Sequence, residues 1–176
     1  MKNAHFNLAL FVVATILTVL FAAQVHAEIL SGRVVGVADG DTVTVLDASR
    51  QQHKIRLMGI DAPEKKMPWG NRSKQSLSDL VSEQQVQVEY SKKDRYGRTV
   101  GKVIVDGVDT NLAQIKAGMA WHYKQYQREQ SVADRAAYAR AEEEARASKR
   151  GLWKDTEPVP PWDWRKSQKN KDRMPL

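Results

Sequence analysis

Alternation of apolar and polar residues over positions 29 to 60 is the feature that most restricts the fold of this chain. The run GRVVGVADGDTVTVLDASRQQHKIRLMGI is rich in β-branched residues and is interrupted by ADGD and DASRQQ, both compatible with turns. Three antiparallel strands are therefore predicted, at about 29–37, 41–47 and 52–60. In the third strand Ile55 and Leu57 alternate with Arg56 and Met58, so an arginine stands on one face of an otherwise apolar run.

The remaining elements complete a recognisable order. After a loop at 63–70, the patterns predict a helix around Leu77 and then two strands, one at 85–90 and one in RTVGKVIVDG. Two more helices are predicted, one in TNLAQIKAGMA and one that begins at Ser131 and stops at Gly151. Three strands, a helix, two strands and then helices is the order of an OB-fold, a five-stranded Greek-key barrel that commonly binds oligonucleotides. The predicted class is α+β, mainly β, with three flanking helices. Element order alone leaves a lectin-like or peptide-binding barrel open.

Residues 1–27 have the outline of a secretory signal peptide. Lys2 precedes 16 uncharged residues, LALFVVATILTVLFAA, and small residues precede a predicted cleavage site after Ala27. An uncleaved anchor is the alternative, although the apolar run is shorter than the ~20 residues that span a bilayer comfortably. The protein is therefore expected to be exported, to the periplasm or the medium, without stable membrane association after cleavage.

Composition excludes several kinds of site. The chain contains 28 Lys and Arg, 21 Asp and Glu, and no cysteine. Disulfides and thiolate metal sites are therefore excluded, and stability has to come from packing. Removal of residues 1–27, which contain one lysine and no acidic residue, leaves a formal charge of +6. This modest excess fits a polyanionic partner such as nucleic acid or an anionic membrane surface, and it fits ordinary solubility equally well.

Residues 28–155 form the predicted OB-fold domain, and residues 156–176 form a C-terminal tail. The tail contains PVPPWDW and then the basic run RKSQKNKDR. Such a composition buries too little apolar area to offset its ordering entropy, so the tail, above all its last dozen residues, is expected to be mobile. Trp162 and Trp164 are the side chains able to hold its first part on the body.

Two aspartates are predicted to meet at one rim of the barrel. Asp41 starts a strand after a turn and Asp61 ends one, and adjacent antiparallel strands bring such positions together. Two carboxylates with backbone carbonyls and water suit a hard cation such as Ca²⁺. The alternative for Asp41 is a structural one, in which it caps the DGD turn together with Asp39.

Arg56 raises a question of geometry. It is separated from Asp61 by an odd number of positions, so a regular strand would send the two side chains to opposite faces. Gly59 lies between them, where a bend or bulge would bring them together. A salt-bridged strand residue, paired with Asp41 or Asp61, is the structural alternative for this arginine.

Phosphodiester hydrolysis is a reaction that needs such a group. Charge gathers on the non-bridging oxygens of the attacked phosphorus, where a cation and the planar fork of an arginine stabilise it. Glu64 follows Pro63 on a loop and is placed to orient or deprotonate water. The hypothesis is therefore that Arg56 is there to bind phosphate.

Four segments in order, DGDT at 39–42, RLMGIDAPE at 56–64, DRYGR at 94–98 and GLW at 151–153, resemble the staphylococcal nuclease-like (thermonuclease) family. The resemblance covers almost the whole chain after the signal peptide, from about Val34 to Trp153. It implies an endonuclease that cuts DNA and RNA with little sequence preference, favours single-stranded or frayed substrate, and leaves 3′-phosphate ends. Each segment alone is a weak signal, whereas the ordered set is highly specific.

The resemblance also implies roles for individual residues. The metal ligands for Ca²⁺ would be Asp41, Asp61 and the backbone carbonyl of Ala62; the catalytic residues would be Arg56, Glu64 and Arg98; and the substrate-binding residues would be Tyr96, with either Tyr123 or Tyr126 stacking on the base. Ala62 departs from the threonine of the best-known member, so any role of that hydroxyl is lost. Lys102 belongs to a basic stretch near Arg98 that would guide a phosphate backbone or be merely solvated.

Other interpretations of the chain remain. His53 and His122 are too few and too scattered for a zinc site and are interpreted as surface or framework residues. Trp69 and Trp121 are interpreted as core or loop anchors, with base stacking as the alternative. A monomer is expected. The rival functions are a non-catalytic nucleic-acid-binding OB module, which would not need this acidic cluster, and a membrane-anchored polyanion-binding protein, which requires residues 1–27 to stay attached.

Overall fold

Five long strands close into a barrel in the computed structural model, which describes residues 28–171. In chain order the strands are β1 (Glu28–Asp39), β2 (Thr42–Asp47), β3 (Gln52–Leu57), β4 (Ile60–Asp61), β5 (Gln85–Lys93), β6 (Thr99–Val105), β7 (Val108–Asp109) and β8 (Trp121–His122). In the main sheet they run in the order β3-β2-β1-β5-β6-β7 with antiparallel neighbours, and a parallel pairing of β3 with β6 closes the sheet. The prediction of a five-stranded OB-fold barrel is confirmed. The predicted signal peptide lies outside the described residues.

Helices cover the barrel. They are α1 (Gly70–Val81), α2 (Thr110–Lys116), α3 (Val132–Ala147) and α4 (Pro161–Lys171), with 3₁₀ turns at Lys124–Glu129 and Gly151–Lys154. The start of α2 is fixed by the Asp109 carboxylate, which accepts a hydrogen bond from the Leu112 amide, and Ser131 caps α3 in the same way. The three predicted flanking helices, α1 to α3, are thereby confirmed. None of the helices within residues 28–171 is long and apolar enough to cross a membrane.

The core lies inside the barrel and beneath α1 and α3. Its fully buried side chains include Val34, Val43, Val45, Ile55, Leu57, Val88 and Val103 from the strands, together with Leu77, Val81 and Tyr138 from the helices. The Tyr138 hydroxyl donates to Asp109 at 2.8 Å, which satisfies the polar end of an otherwise apolar ring. The core therefore holds β3 rigidly, and β3 carries Arg56 on its other face.

The third strand is shorter than predicted. It ends at Leu57, and Met58 and Gly59 form a turn before the two-residue strand β4, which pairs with β8 in a separate small sheet. The prediction of one strand through residue 60 is therefore wrong at Met58 and Gly59, and Ile60 belongs to β4. The physical reason is the left-handed conformation of Gly59, whose φ is +76° and which reverses the chain before the acidic end of the segment.

Helix α4 was not predicted from the sequence. Trp162, in its first turn, lies flat against Tyr123, with ring centroids 5.3 Å apart and an interplanar angle of 6°. The edge of the same indole meets Trp121 at 5.5 Å. Of the two tail tryptophans, Trp162 thus packs on the body, and the residues that follow it continue as a helix to Lys171.

Candidate active site

Asp41 lies in the tight turn between β1 and β2. Asp39 faces Thr42 across this hairpin, and the Asp39 carboxylate accepts a hydrogen bond from the Asp41 amide at 3.1 Å. The Asp41 side chain turns inward, where it accepts from the Ala62 amide at 2.6 Å and from the Thr42 hydroxyl at 3.1 Å. Capping of the turn is therefore the role of Asp39, while the buried carboxylate of Asp41 joins the site.

Arg56 lies on β3, where it pairs with Thr42 of β2. Its side chain reaches both aspartates that were predicted to bind the metal. One guanidinium nitrogen forms an ion pair with Asp41, and the other donates to Asp61 Oδ1 at 2.7 Å. Only 14% of the arginine side chain is exposed. Burial lowers the pKa of Arg56, and attraction to Asp61 opposes that shift; an arginine remains protonated in either case. A fixed positive charge therefore lies between two buried carboxylates.

The turn at Met58 and Gly59 explains how Arg56 and Asp61 share one face. Because Gly59 adopts a left-handed conformation, β4 folds back beside the end of β3. Asp61 becomes fully buried, and its carboxylate points toward Arg56. The predicted bend at this glycine is confirmed, and it resolves the odd spacing between the two residues.

Glu64 follows on the loop that leads to α1. Its side chain is 39% exposed, far more than that of Asp61 at 1%. One Glu64 oxygen accepts a hydrogen bond from Arg165 of α4 at 2.7 Å. Unlike the two aspartates, this carboxylate is therefore open to water and able to move.

The segment Asp94 to Arg98 forms a turn at the other side of the site. The Asp94 carboxylate accepts hydrogen bonds from the backbone amides of Tyr96 and Arg98 and from the guanidinium of Arg98 at 2.7 Å. Burial opposes ionisation of this carboxyl, but its hydrogen bonds from Arg98 outweigh burial and lower the pKa of Asp94. Arg98 is thus oriented by its own turn, while the ring of Tyr96 is 69% exposed.

Aromatic side chains flank the site on the opposite wall. Tyr123 and Tyr126 contact each other edge to face at 5.0 Å. Burial raises the pKa of the Tyr123 hydroxyl, and the nearby charge of Asp61 adds to that shift. Both candidates for base stacking therefore line the cleft, although Tyr123 already stacks on Trp162.

These side chains surround one open cleft of about 1110 Å³. Nine of its lining residues are basic and six are acidic, so the cleft has the charge that a polyanionic strand requires. The basic ones are Lys54, Arg56, Lys92, Lys93, Arg95, Arg98, Arg165, Lys166 and Lys169. The structure therefore brings together Asp41, Arg56, Asp61, Ala62, Glu64, Tyr96, Arg98, Tyr123 and Tyr126.

Lys102 is the predicted site residue that the structure places elsewhere. It lies on β6, and its ammonium group contacts Asp134 of α3 at 2.9 Å and Glu89 of β5 at 3.6 Å. It shares a face of β6 with Val100, which lines the cleft, but one step farther along the strand its ammonium group is held by α3, so nearness to Arg98 in the sequence was misleading. Its position is that of a structural ion pair between the barrel and α3.

The interpretation of the histidines and tryptophans as framework residues agrees with their positions. His122 is buried and its Nε2 lies 2.8 Å from Gln130, while His53 pairs with Asp47. Burial lowers the pKa of His122. Trp121 is 7% exposed, and the Trp69 indole donates to Asp155 at 2.9 Å. These side chains stabilise the surroundings of the cleft.

The oxygen donors at this site suit a hard cation in their chemistry. No three His, Cys, Asp or Glu side chains within residues 28–171 form a group that holds a metal ion as they stand. Asp41 and Asp61 nevertheless present buried carboxylates beside the backbone of Ala62, and Ca²⁺ accepts irregular coordination with carbonyl and water ligands. The donor set therefore fits calcium, provided that the side chains around Asp61 rearrange.

Comparison with known proteins identifies the family. A family model described as Staphylococcal nuclease homologue matches residues 54–155, which include Arg56, Asp61, Glu64 and Arg98. The chain belongs to the staphylococcal nuclease-like family. It is therefore a nuclease, a hydrolase whose substrates are nucleic acids.

Relatives of this nuclease match most of its length. A protein named Uncharacterized endonuclease from Escherichia coli O157:H7 is 44% identical over 147 residues, which cover 83% of this chain and 92% of the relative. The Micrococcal nuclease of Shigella flexneri is 40% identical over 171 residues, covering 92% and 95%. The Protein ParB of Escherichia coli is 39% identical over 167 residues, covering 90% and 92%.

Helix α4 contributes a part of the nuclease site that was not predicted from the sequence. Arg165 contacts Asp61 and Glu64, and Lys166 and Lys169 line the same cleft. A signal was present, because two tryptophans precede the arginine in PPWDWRK and tryptophans rarely stay in solvent when a surface can bury them. The tryptophans indicated that the tail could pack on the body, but its basic composition favoured a mobile segment over a helix that carries Arg165 into the site.

Proposed function

We propose that this nuclease is an exported, calcium-dependent endonuclease that hydrolyses DNA and RNA with little sequence preference, favours single strands, and leaves 3′-phosphate ends. The observation that carries the proposal is the buried group formed by Asp41, Arg56 and Asp61 at the base of a basic cleft. A binding module would use the basic cleft but would gain nothing from burying two carboxylates, whose desolvation is costly even when an arginine pairs with them.

Three side chains of the cleft, those of Arg56, Arg98 and Glu64, have defined roles in the proposed reaction. Arg56 and Arg98 bind non-bridging oxygens of the scissile phosphate from two sides of the cleft, where their charge stabilises the transition state. Glu64, the exposed carboxylate, accepts a proton from the attacking water. A bond forms between the water oxygen and phosphorus, the bond to the 5′ oxygen breaks, and that oxygen takes a proton from solvent. The phosphate therefore stays on the 3′ side.

The cation proposed for this site is Ca²⁺, held by Asp41, Asp61 and the backbone carbonyl of Ala62. When bound, it would supply positive charge next to the phosphate oxygens. The chain contains no cysteine, and His53 and His122 contact Asp47 and Gln130 and do not line the cleft; both facts favour an all-oxygen site over a zinc site.

Low sequence preference is proposed from the kind of side chains that line the cleft. Lysines and arginines contact phosphates, which carry no sequence information, and tyrosines stack on any base. Preference for single strands follows from the same tyrosines, because a stacked base has to be free of its partner strand. Export is proposed from residues 1–27 alone.

The test uses the purified chain with denatured DNA and, separately, with RNA. Cleavage is expected in Ca²⁺, and excess chelator should abolish it. Products should become shorter without a preferred sequence, and their 3′ ends should require a phosphatase before a polymerase extends them. Full turnover in excess chelator would show that the assignment of Asp41 and Asp61 as ligands is wrong, and 5′-phosphate ends would show that the other ester bond breaks.

A further inference from the structure

Arg165 lies between Asp61 and Glu64, two of the carboxylates that the proposed reaction uses. Its Nη2 donates to Asp61 Oδ2 at 2.7 Å, and its Nη1 donates to Glu64 Oε1 at 2.7 Å and to Asp61 Oδ1 at 3.2 Å. Because Arg56 also binds Asp61 Oδ1, both oxygens of Asp61 have arginine partners. In this arrangement Arg165 and Arg56 hold both oxygens of Asp61, and Arg165 also holds one oxygen of Glu64.

Helix α4 is seated so that Arg165 has to point into the cleft. Trp162 lies three residues earlier, on the same face of the helix, and is stacked on Tyr123 and packed against Trp121. Pro161 is buried at the start of the helix. The anchor is therefore one turn away from the guanidinium, and the helix cannot rotate Arg165 away without breaking the aromatic contacts.

The same helix adds positive charge to the cleft beyond Arg165. Lys166 and Lys169 line the same cleft as Lys92, Lys93 and Arg98. A single nucleic-acid strand that enters this cleft therefore meets basic side chains from α4 as well as from the barrel. The position of α4 is therefore that of a wall of the substrate-binding cleft.

We propose that Arg165 is a substrate-binding residue with two positions: it holds Asp61 and Glu64 in the free protein, and it binds a phosphodiester of the nucleic-acid strand once a cation has taken Asp61. This inference rests on the proposed calcium-dependent hydrolysis. It adds a third arginine, from the C-terminal helix, to the two that were predicted to bind phosphate.

The exchange follows from the chemistry of the groups involved. A cation that is bound to a carboxylate oxygen repels a guanidinium at the same position, since the cation and the guanidinium are both positive. The Arg165 side chain is 42% exposed and keeps its charge, so its guanidinium is free to bind another anion. Phosphate oxygens match its planar fork, and the cleft is where the strand would supply them.

Two measurements with opposite expected signs test the exchange. The first is calorimetry of Ca²⁺ binding without nucleic acid, for the wild-type chain, Arg165→Gln and Lys166→Gln. Both variants lose one positive charge on the same helix, but only Arg165 contacts the carboxylates, so Arg165→Gln should bind Ca²⁺ about tenfold more tightly than Lys166→Gln. The second is filter binding of a labelled, cleavage-resistant phosphorothioate oligothymidylate at saturating Ca²⁺ and one salt concentration, where Arg165→Gln should bind several-fold more weakly than Lys166→Gln.

Each other outcome overturns the inference. Equal behaviour of the two variants in either measurement would mean that Arg165 acts only as one positive charge among several. Weaker binding of both Ca²⁺ and the oligonucleotide by Arg165→Gln would make it a structural brace. Tighter Ca²⁺ binding with unchanged oligonucleotide binding would leave it a cover for the carboxylates. A wild-type chain that binds no Ca²⁺ would defeat the calcium assignment itself, which separates that failure from failure of the exchange.

Discussion

At the scale of single residues, Arg56 shows how one side chain can satisfy two buried acids. Its guanidinium contacts Asp41 through one nitrogen and Asp61 through the other. An ammonium group would reach only one of the two carboxylates and would leave the other buried without its partner. The same planar guanidinium is suited to a phosphate, so Arg56 both stabilises the buried acids and takes part in the proposed chemistry.

Replacement of Arg56 by lysine should therefore lower turnover more than apparent affinity. We expect kcat to fall by about 10²-fold or more, with a smaller change in KM, because the lost contacts matter most in the transition state. Steady-state kinetics on denatured DNA measure both constants. The matched control is Arg95→Lys, in the same cleft, where the guanidinium lies over the Tyr96 ring at 4.9 Å. Kinetics of Arg56→Lys equal to those of Arg95→Lys would remove Arg56 from the reaction.

Some residue positions could be predicted from the sequence and others could not. Asp41, Arg56 and Asp61 were predictable because short turns and one glycine fix their separation within a single stretch of chain. Lys102 was misplaced because the sequence does not show its partners: it pairs with Glu89 on β5, and its ammonium group contacts Asp134 of α3. Arg165 required knowledge of where a distant helix lies.

At the scale of elements, the turn between β3 and β4 positions the acidic end of the site. Gly59 has φ +76°, and a Cβ at this position would lie 2.4 Å from Gln130 Nε2. The Gln130 side chain cannot easily move, because it is buried and its Oε1 lies 2.8 Å from the ring of buried His122. The turn therefore requires glycine for its conformation and for its close packing.

Gly59→Ala should lower both stability and activity. We expect a loss of about 1–3 kcal/mol in the free energy of unfolding from the steric clash, in addition to the cost of a left-handed alanine, and a lower kcat because β4 carries Asp61. Denaturant unfolding and kinetics measure the two effects. Gly107→Ala is the control, since its φ is +79° but a Cβ added there would have no atom of the described residues within 4 Å. Equal losses for the two variants would show that the contact with Gln130 is unimportant.

The hairpin between β2 and β3 contains a carboxylate with a strongly shifted pKa. Asp47 contacts His53 at 2.7 Å and accepts hydrogen bonds from the Gln51 amide and the Ser49 hydroxyl. These contacts, that of His53 first, lower the pKa of Asp47 from 3.8 to about 2. Because the folded pKa lies below the unfolded one, the stability that Asp47 contributes is complete above about pH 4 and is lost as the pH falls toward 2.

Asp47→Asn should therefore change the acid branch of the stability curve. We expect the variant to lose less stability than the wild type between pH 4 and pH 2, because it has no carboxylate to protonate at this position. Thermal unfolding across that range gives the comparison, with Asp106→Asn on the exposed β6–β7 turn as the control. Parallel curves for the wild type and Asp47→Asn would contradict the role assigned to this carboxylate.

The elements themselves were predictable to different degrees. Alternation identified the strands of the barrel because one face of each packs into the core, and Ser131 marked the start of α3 through its cap. Helix α4 has little apolar surface beyond Pro161 and the indoles of Trp162 and Trp164, so periodicity could not reveal it. Its position depends on the indole of Trp162 meeting Tyr123 and Trp121, which come from another part of the chain.

At the scale of the whole molecule, the barrel, the loop after β4 and α4 enclose one cleft with a basic surface and a buried acidic base. Basic residues attract a polyanion without choosing a sequence, whereas the acids have a function only if chemistry follows binding. The order of the elements could be predicted from the sequence. The closure of the cleft by α4 could not, since it arises from contacts between residues about 40 to 100 positions apart.

Substitution of Glu64 is the most direct way to distinguish catalysis from binding in this cleft. The measurement compares the wild type, Glu64→Gln and the control Glu129→Gln, which makes the same chemical change on another carboxylate lining the cleft. For each protein, binding of a labelled phosphorothioate strand and hydrolysis of the normal strand are measured at one salt and Ca²⁺ concentration. We predict that Glu64→Gln binds the strand as well as Glu129→Gln but hydrolyses it ~10²–10⁴-fold more slowly, as expected for loss of a general base. Hydrolysis by Glu64→Gln at the rate of Glu129→Gln would contradict the account.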